Sequence, residues 1–253
     1  PSDRMFIWPE RWDKSFADST FACSSYENCH VPWGNTHEES LKLVRDNDFI
    51  SGQYVWTGFD YIGEPTPYGW PARSSYFGIV DLAGFPKDVY YLYQSEWTDK
   101  QMLHLFPHWN WKKGETVDVW AYYNQADEVE LFLNGESLGV KNKPDDAFHA
   151  CWRVPFTPGT LKAVSLKDGK EVLTREIRTA GEPARIMLIP DRSALHADGT
   201  DLSFVTVEIQ DQDGNLVPDA DNLLRFTVEG DGFIAETDNG DQNDPVSLKK
   251  PER

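Results

Sequence analysis

Trp56, Asp60, Tyr61 and Glu64 stand close together in Gln53-Tyr54-Val55-Trp56-Thr57-Gly58-Phe59-Asp60-Tyr61-Ile62-Gly63-Glu64-Pro65. An indole, two carboxylates and a phenol beyond an apolar run are the groups that a sugar pocket uses. A pyranose ring presents a face of C–H groups, and a flat indole is the best side-chain surface for it. The alternative for Trp56 is simple packing between a strand and the helix that covers it. Asp60 and Glu64 could serve as the acid and nucleophile of a glycosidase, whose retaining form needs carboxyl groups about 5–5.5 Å apart. A turn containing Gly63 permits that distance without enforcing it. A solvated or turn-capping role is therefore preferred for the chemistry, with either acid able to hydrogen-bond a sugar hydroxyl. Trp56, Asp60 and Glu64 are thus candidate substrate contacts, and no residue is assigned to catalysis.

A second group lies in Tyr26-Glu27-Asn28-Cys29-His30-Val31-Pro32-Trp33-Gly34. Acid, imidazole and indole sit together there as in a site loop. Trp33 joins the candidate sugar contacts, while a structural use is preferred for Glu27 and His30. Cys29 beside His30 makes a poor nucleophile pair, because adjacent side chains diverge and no orienting partner is evident. Asp211-Gln212-Asp213-Gly214-Asn215 invites a calcium reading, but Ala220 stands where the loop pattern needs Glu. A hairpin turn between Ile209 and Val217 is preferred. No metal or other cofactor is expected.

The 253-residue chain carries a formal net charge of −18. That balance argues against nucleic acid and anionic membrane as partners. No apolar run is long enough for a spanning helix. The three cysteines define no disulfide framework. The spacing of Cys23 and Cys29 permits a bridge without requiring one, and Cys151 lies in a strand-like segment. Tryptophan marks off three regions: six fall in residues 1–98, four in 99–180 and none beyond.

Positioning the first region takes a helix and a strand. Thr36-His37-Glu38-Glu39 is a capping box, Leu41, Leu43 and Val44 give an apolar stripe, and Asn47-Asp48 ends the helix. An apolar strand over residues 49–57 follows at once, as in an αβ unit whose strand is covered on both faces. A further element covers residues 76–80, and residues 90–97 form an aromatic helix or extended tail. Residues 99–180 read as short strands with hairpin turns: 117–122, then 129–133 and 136–140 about Asn134-Gly135, then 161–166 and 171–177 about Asp168-Gly169. This is the pattern of an immunoglobulin-like β-sandwich. Residues 179–184 hold Gly181 and Pro183 and read as a linker. Strands at 185–189, 202–209, 223–228 and 233–237 then suggest a second sandwich over 181–253, with too few strands to close.

Residues 54–65, with Ser74-Ser75-Tyr76-Phe77-Gly78-Ile79-Val80-Asp81, resemble the final barrel strand of family 2 glycoside hydrolases. Gly84-Phe85-Pro86-Lys87 and Tyr91-Leu92-Tyr93-Gln94-Ser95-Glu96-Trp97 are similar to the segment closing the barrel in the β-galactosidase branch. His104-Leu105-Phe106-Pro107-His108-Trp109-Asn110-Trp111 and Val129-Glu130-Leu131-Phe132-Leu133-Asn134-Gly135 resemble the β-sandwich that follows it. The resemblance implies a mainly β chain: the remnant of a (β/α)8 barrel over 1–98, then immunoglobulin-like β-sandwich domains over 99–180 and 181–253. It implies the C-terminal fragment of a retaining enzyme that uses two glutamates and a covalent intermediate on terminal β-galactosides. In that branch the nucleophile sits in a Ser-Glu-Thr-like motif on the preceding strand and the acid/base earlier still, so the chain alone is expected to be inactive. Trp56 would line the subsite for the non-reducing sugar. Some β-galactosidases carry an asparagine just before the Gly78 position for the sugar and a sodium ion, and Phe77 stands there instead. A carbohydrate partner, the upstream part of the enzyme and a periplasmic or secreted setting are expected, and an oligomer is compatible with the pattern. The rival expectation is a non-catalytic carbohydrate-binding or scaffold module.

Overall fold

The computed structural model describes residues 25–26, 30, 33–65 and 68–253. Cys23, Cys29 and Glu27 lie outside them, and with them the questions of the Cys23–Cys29 bridge and of Glu27. Helix α1, His37–Arg45, begins as its sequence demands: the Glu39 amide donates to Thr36 Oγ1 at 3.2 Å and the Thr36 amide to Glu39 Oε2 at 3.1 Å. Helix α2 spans Asp88–Trp97 and buries Leu92 completely. The tail read as helix or extended is therefore a helix.

The body of the protein is an antiparallel sandwich. One sheet runs β1 (Leu103–Phe106), β2 (Thr116–Tyr123), β5 (Ala150–Pro155). The other runs β4 (Glu136–Lys141), β3 (Glu128–Leu133), β6 (Thr160–Lys167), β7 (Lys170–Arg178). Asn134 and Gly135 take φ of 53° and 87°, Asp168 and Gly169 51° and 71°, as two-residue turns with positive φ require. Strand β2 shows why this sheet is covered twice. Its Val117, Val119, Ala121 and Tyr123 enter the sandwich core around Trp109, while Trp120 and Tyr122 point the other way, into a cluster with Leu41, Leu92 and Tyr93 of the helices. The period of two sends alternate side chains to two different cores.

Histidine–carboxylate hydrogen bonds then tie the helices to the sandwich. His149 Nδ1 meets Glu38 Oε1 at 2.6 Å and its ring stacks on Trp120; His104 Nε2 meets Asp88 Oδ1 at 2.7 Å and stacks on Tyr91. Past Thr179 the linker is held at both ends. Asn110 exchanges two hydrogen bonds with Ala180, and the Gly181 amide donates to Asp211 Oδ2.

Two expectations need correction. No strand forms over 49–57, because its backbone finds no ladder partner among the described residues; pairing begins only at Thr57. In the third region β8 (Arg185–Pro190) pairs with β9 (Val205–Gln210), but 223–228 and 233–237 do not become strands. Residues 224–226 pair instead with 251–253 through the Arg225–Glu252 bridge, and β9 starts late because the Phe204 amide donates to Asp191 Oδ1. A complete second sandwich is thus absent among the described residues, and Ile186 and Leu188 remain more than half exposed. The protein is mainly β, with antiparallel sheets and few helices. A barrel remnant is not visible as such.

Candidate substrate-binding site

The site is built on two short pairings. Residues 57–60 run parallel to 77–80: the Thr57 amide donates to the Phe77 carbonyl at 3.0 Å, Ile79 to Thr57 at 3.1 Å, Val80 to Gly58 at 3.1 Å and Asp60 to Val80 at 2.9 Å. Gly78 is obligatory here, since a Cβ would run into the Asp60 nitrogen and the Phe59 carbonyl carbon. The chain then turns back on itself. Ser75 donates to the Tyr61 carbonyl at 2.9 Å, and Gly63 donates to Arg73 at 3.1 Å. A turn over 81–85, closed by Asp81 Oδ1 on the Phe85 amide at 2.8 Å, carries Lys87 back toward Asp60.

Asp60 faces inward. Its carboxylate is almost fully buried; the Gly78 amide donates to Oδ1 at 2.7 Å, and Lys87 Nζ lies 2.9 Å from Oδ1 and 2.8 Å from Oδ2. Burial pushes the Asp60 carboxyl above its ordinary value, and Lys87 pulls it part of the way back. Lys87 also donates to the Tyr76 carbonyl at 3.1 Å. Asp60 therefore pins the turn and keeps its oxygens on the interior side.

Trp56 faces outward, 73% exposed yet held in place. Its Nε1–H donates to Tyr61 Oη at 3.2 Å, and Tyr61 Oη donates to Glu64 Oε2 at 2.6 Å. The two rings meet edge to face with centroids 6.2 Å apart. The Glu64 carboxylate raises the Tyr61 phenol above its ordinary value, so Tyr61 keeps its proton and stays a donor to Glu64. This chain of indole, phenol and carboxylate ties Trp56 to the turn while leaving most of the indole exposed.

Trp56 and Glu64 are thus brought together, and Asp60 stands in a separate buried network. Trp33 is 67% exposed ahead of α1, with no hydrogen bond or ring contact to the Trp56 group among the described residues. Sequence reasoning missed Tyr61 as the hub and Lys87 as the counter-ion. The three-residue step from Tyr61 to Glu64 on a Gly turn was the available signal for the first; nothing local signals the second. The remaining candidates resolve simply. Asp211 is filled by the Gly181, Asp213 and Asn215 amides and by the Asn215 side chain, a turn rather than a calcium loop. Burial pushes the Cys151 thiol up to about 11, which makes it a poor nucleophile.

Comparison with known proteins bears on this arrangement. Residues 186–253 match the model "Glycoside hydrolase family 2 C-terminal domain 5", and residues 114–173 match "Domain of unknown function (DUF4982)". The chain is 76% identical over 250 residues to β-galactosidase BoGH2A of Bacteroides ovatus, covering 99% of this chain and 29% of that protein. It is 29% identical over 234 residues to a β-glucuronidase of Formosa agariphila, covering 87% of this chain and 23% of that protein. The crystal structure of a β-glycosidase from Bacteroides vulgatus superposes with a TM-score of 0.86 at 36% identity, covering 92% of this chain and 30% of that one. The chain therefore spans less than a third of the length of these relatives.

Proposed function

This chain belongs to glycoside hydrolase family 2, matching its C-terminal portion, and on that premise we propose that it supplies one wall of the sugar pocket of a β-galactosidase-like enzyme. The observation that carries the proposal is Trp56: a largely exposed indole fixed through Tyr61 and Glu64. An exposed aromatic that is also immobilised gives a flat sugar platform at little further cost in side-chain entropy. Glu64 contributes a hydrogen bond to a sugar hydroxyl, and Asp60 supports the turn from behind.

The bond-breaking groups lie elsewhere in the enzyme. Retaining hydrolysis of a terminal β-galactoside needs an acid/base and a nucleophilic carboxylate flanking one bond. Asp60 is committed to Lys87 and Gly78, and Glu64 to Tyr61, so these two do not form such a pair. Residues 57–60 and 77–80 serve, in this reading, as the closing element of a (β/α)8 barrel. Support comes from their parallel pairing and from Tyr54, Phe59 and Ile62, large side chains left more than half exposed for the rest of the barrel to cover. A net charge of −18 fits a neutral sugar ligand better than a polyanion.

Nitrophenyl β-galactoside offered to the purified 253-residue chain tests the division of labour. No turnover is expected. Turnover that Glu64→Gln abolishes would overturn the proposal, because the chemistry would then reside here.

A further inference from the structure

The turn carrying Tyr61 and Glu64 is gripped by a segment far away in the sequence. Arg73 sits opposite that turn, its carbonyl accepting from the Gly63 amide at 3.1 Å. Its own amide donates to the Gln242 carbonyl at 2.9 Å, and its guanidinium Nη1 donates to the Val246 carbonyl at 3.0 Å, across 173 residues of chain. A second contact falls at Gly240, which packs on the Asp81 carboxylate with φ of +73°, so closely that a Cβ would strike it. Asp81 opens the turn that returns Lys87 to Asp60. The third region thus touches both ends of the site scaffold.

The gripping segment is itself tightly turned. Asp238, Asn239, Asp241 and Asp244 each accept from an amide two residues on, at 2.8–3.0 Å. Arg253 anchors it from behind, donating to the Thr237 carbonyl at 2.7 Å and lying 3.6 Å from Asp244. Arg73 has one more telling feature. Its Nε and Nη2 are buried without a hydrogen-bond partner among the described residues. Buried donors left in that state lower stability, so Arg73 is a poor choice for stability alone.

We propose that residues 238–246 clamp the substrate-site turn and that Arg73 is the positioning residue through which the clamp sets the place of Tyr61, Glu64 and Trp56. The proposal rests on the sugar-wall reading of those three residues. It gives the third region a part in substrate binding although it contributes no group to the pocket. A small displacement of the turn is enough, because binding geometry is sensitive to shifts of about 1 Å.

The test uses Arg73→Ala and Arg73→Lys in the full-length protein, with Trp56→Ala alongside. The clamp expects Arg73→Ala to raise KM for a β-galactoside about three- to thirtyfold, with kcat held within about twofold. It also expects the Tyr61 and Gly63 amides, which donate to Ser75 Oγ and to the Arg73 carbonyl, to lose hydrogen-exchange protection, and Arg73→Lys to reverse much of both effects by donating to Val246 again. An unchanged KM, or Tyr61 and Gly63 amides that stay protected when the Arg73 side chain is removed, would overturn it. If Trp56→Ala also leaves KM unchanged, the sugar-wall reading has failed, and the exchange data alone decide whether the clamp exists. A variant that fails to fold is recognised by loss of protection throughout the sandwich; Gly240→Ala, which pushes on Asp81 from the clamp side, then serves in its place with the same two readouts.

Discussion

Asp60 shows how burial separates two acids that look alike in the sequence. Both Asp60 and Glu64 follow Trp56 within a few residues, but only Asp60 has a glycine opposite it that lets a backbone amide reach its carboxylate. The partner that makes its burial tolerable, Lys87, arrives from 27 residues away. No local pattern could reveal that pairing, so the turn-capping role preferred for Asp60 was legible in the sequence but its buried counter-ion was not. Lys87→Met leaves the carboxylate buried and uncompensated, and is expected to lower stability by about 3 kcal/mol in denaturant titration. Burial already raises the Asp60 carboxyl, so the variant should recover part of this loss as the pH falls and Asp60 takes up a proton. A loss below about 0.5 kcal/mol, within the range of ordinary surface changes, would contradict the pin. Cys151 gives a second check at this scale. With its thiol near 11, alkylation at pH 8 should be slow in the folded protein and fast once it is unfolded, read residue by residue by mass spectrometry.

Among the elements, the best-read were those whose signals are local. The α1 capping box and the two hairpin turns each depend on residues within a few positions of one another, and each forms where the sequence places it. Strand β2 was legible as a strand, but its burial on both faces was not, since Trp120 and Tyr122 are covered by helices distant in the chain. Residues 49–57 were misread for the converse reason: an apolar run looks like a strand whether or not a neighbour exists to pair with it. The linker illustrates an element held by one side chain. Asp211 is kept down at about 2, against an ordinary 3.8, first by the Asn215 side chain and then by the Gly181 amide. Its folded value lies below the unfolded one, so its contribution is present above about pH 4 and fades as the pH falls through about 2. Asp211→Ala should lower the stability of the β8–β9 region at neutral pH and flatten its pH dependence between pH 4 and pH 2. Exchange at the Gly181 amide reports this; parallel pH profiles for the two proteins would contradict it.

At the scale of the whole molecule, the sandwich is closed and the first and third regions are not. Trp109 and the core around it are almost wholly buried, while Tyr54, Trp56, Phe59 and Trp70 in the first region are each more than 60% exposed. That contrast supports the proposed reading, in which the edge carrying Trp56 joins a larger pocket. The hairpins of the sandwich were legible because their turn residues are adjacent in sequence, whereas the pairing of 224–226 with 251–253 was not, because it joins segments more than twenty residues apart. The central claim is that Trp56 is a sugar platform. It is tested most directly by the inhibition constant of galactose for the full-length enzyme and its Trp56→Ala variant. The expected result is weaker binding by about tenfold to a hundredfold, the range of a buried aromatic anchor, with the fold intact by circular dichroism. An inhibition constant unchanged within twofold would contradict the claim and return Trp56 to a packing role.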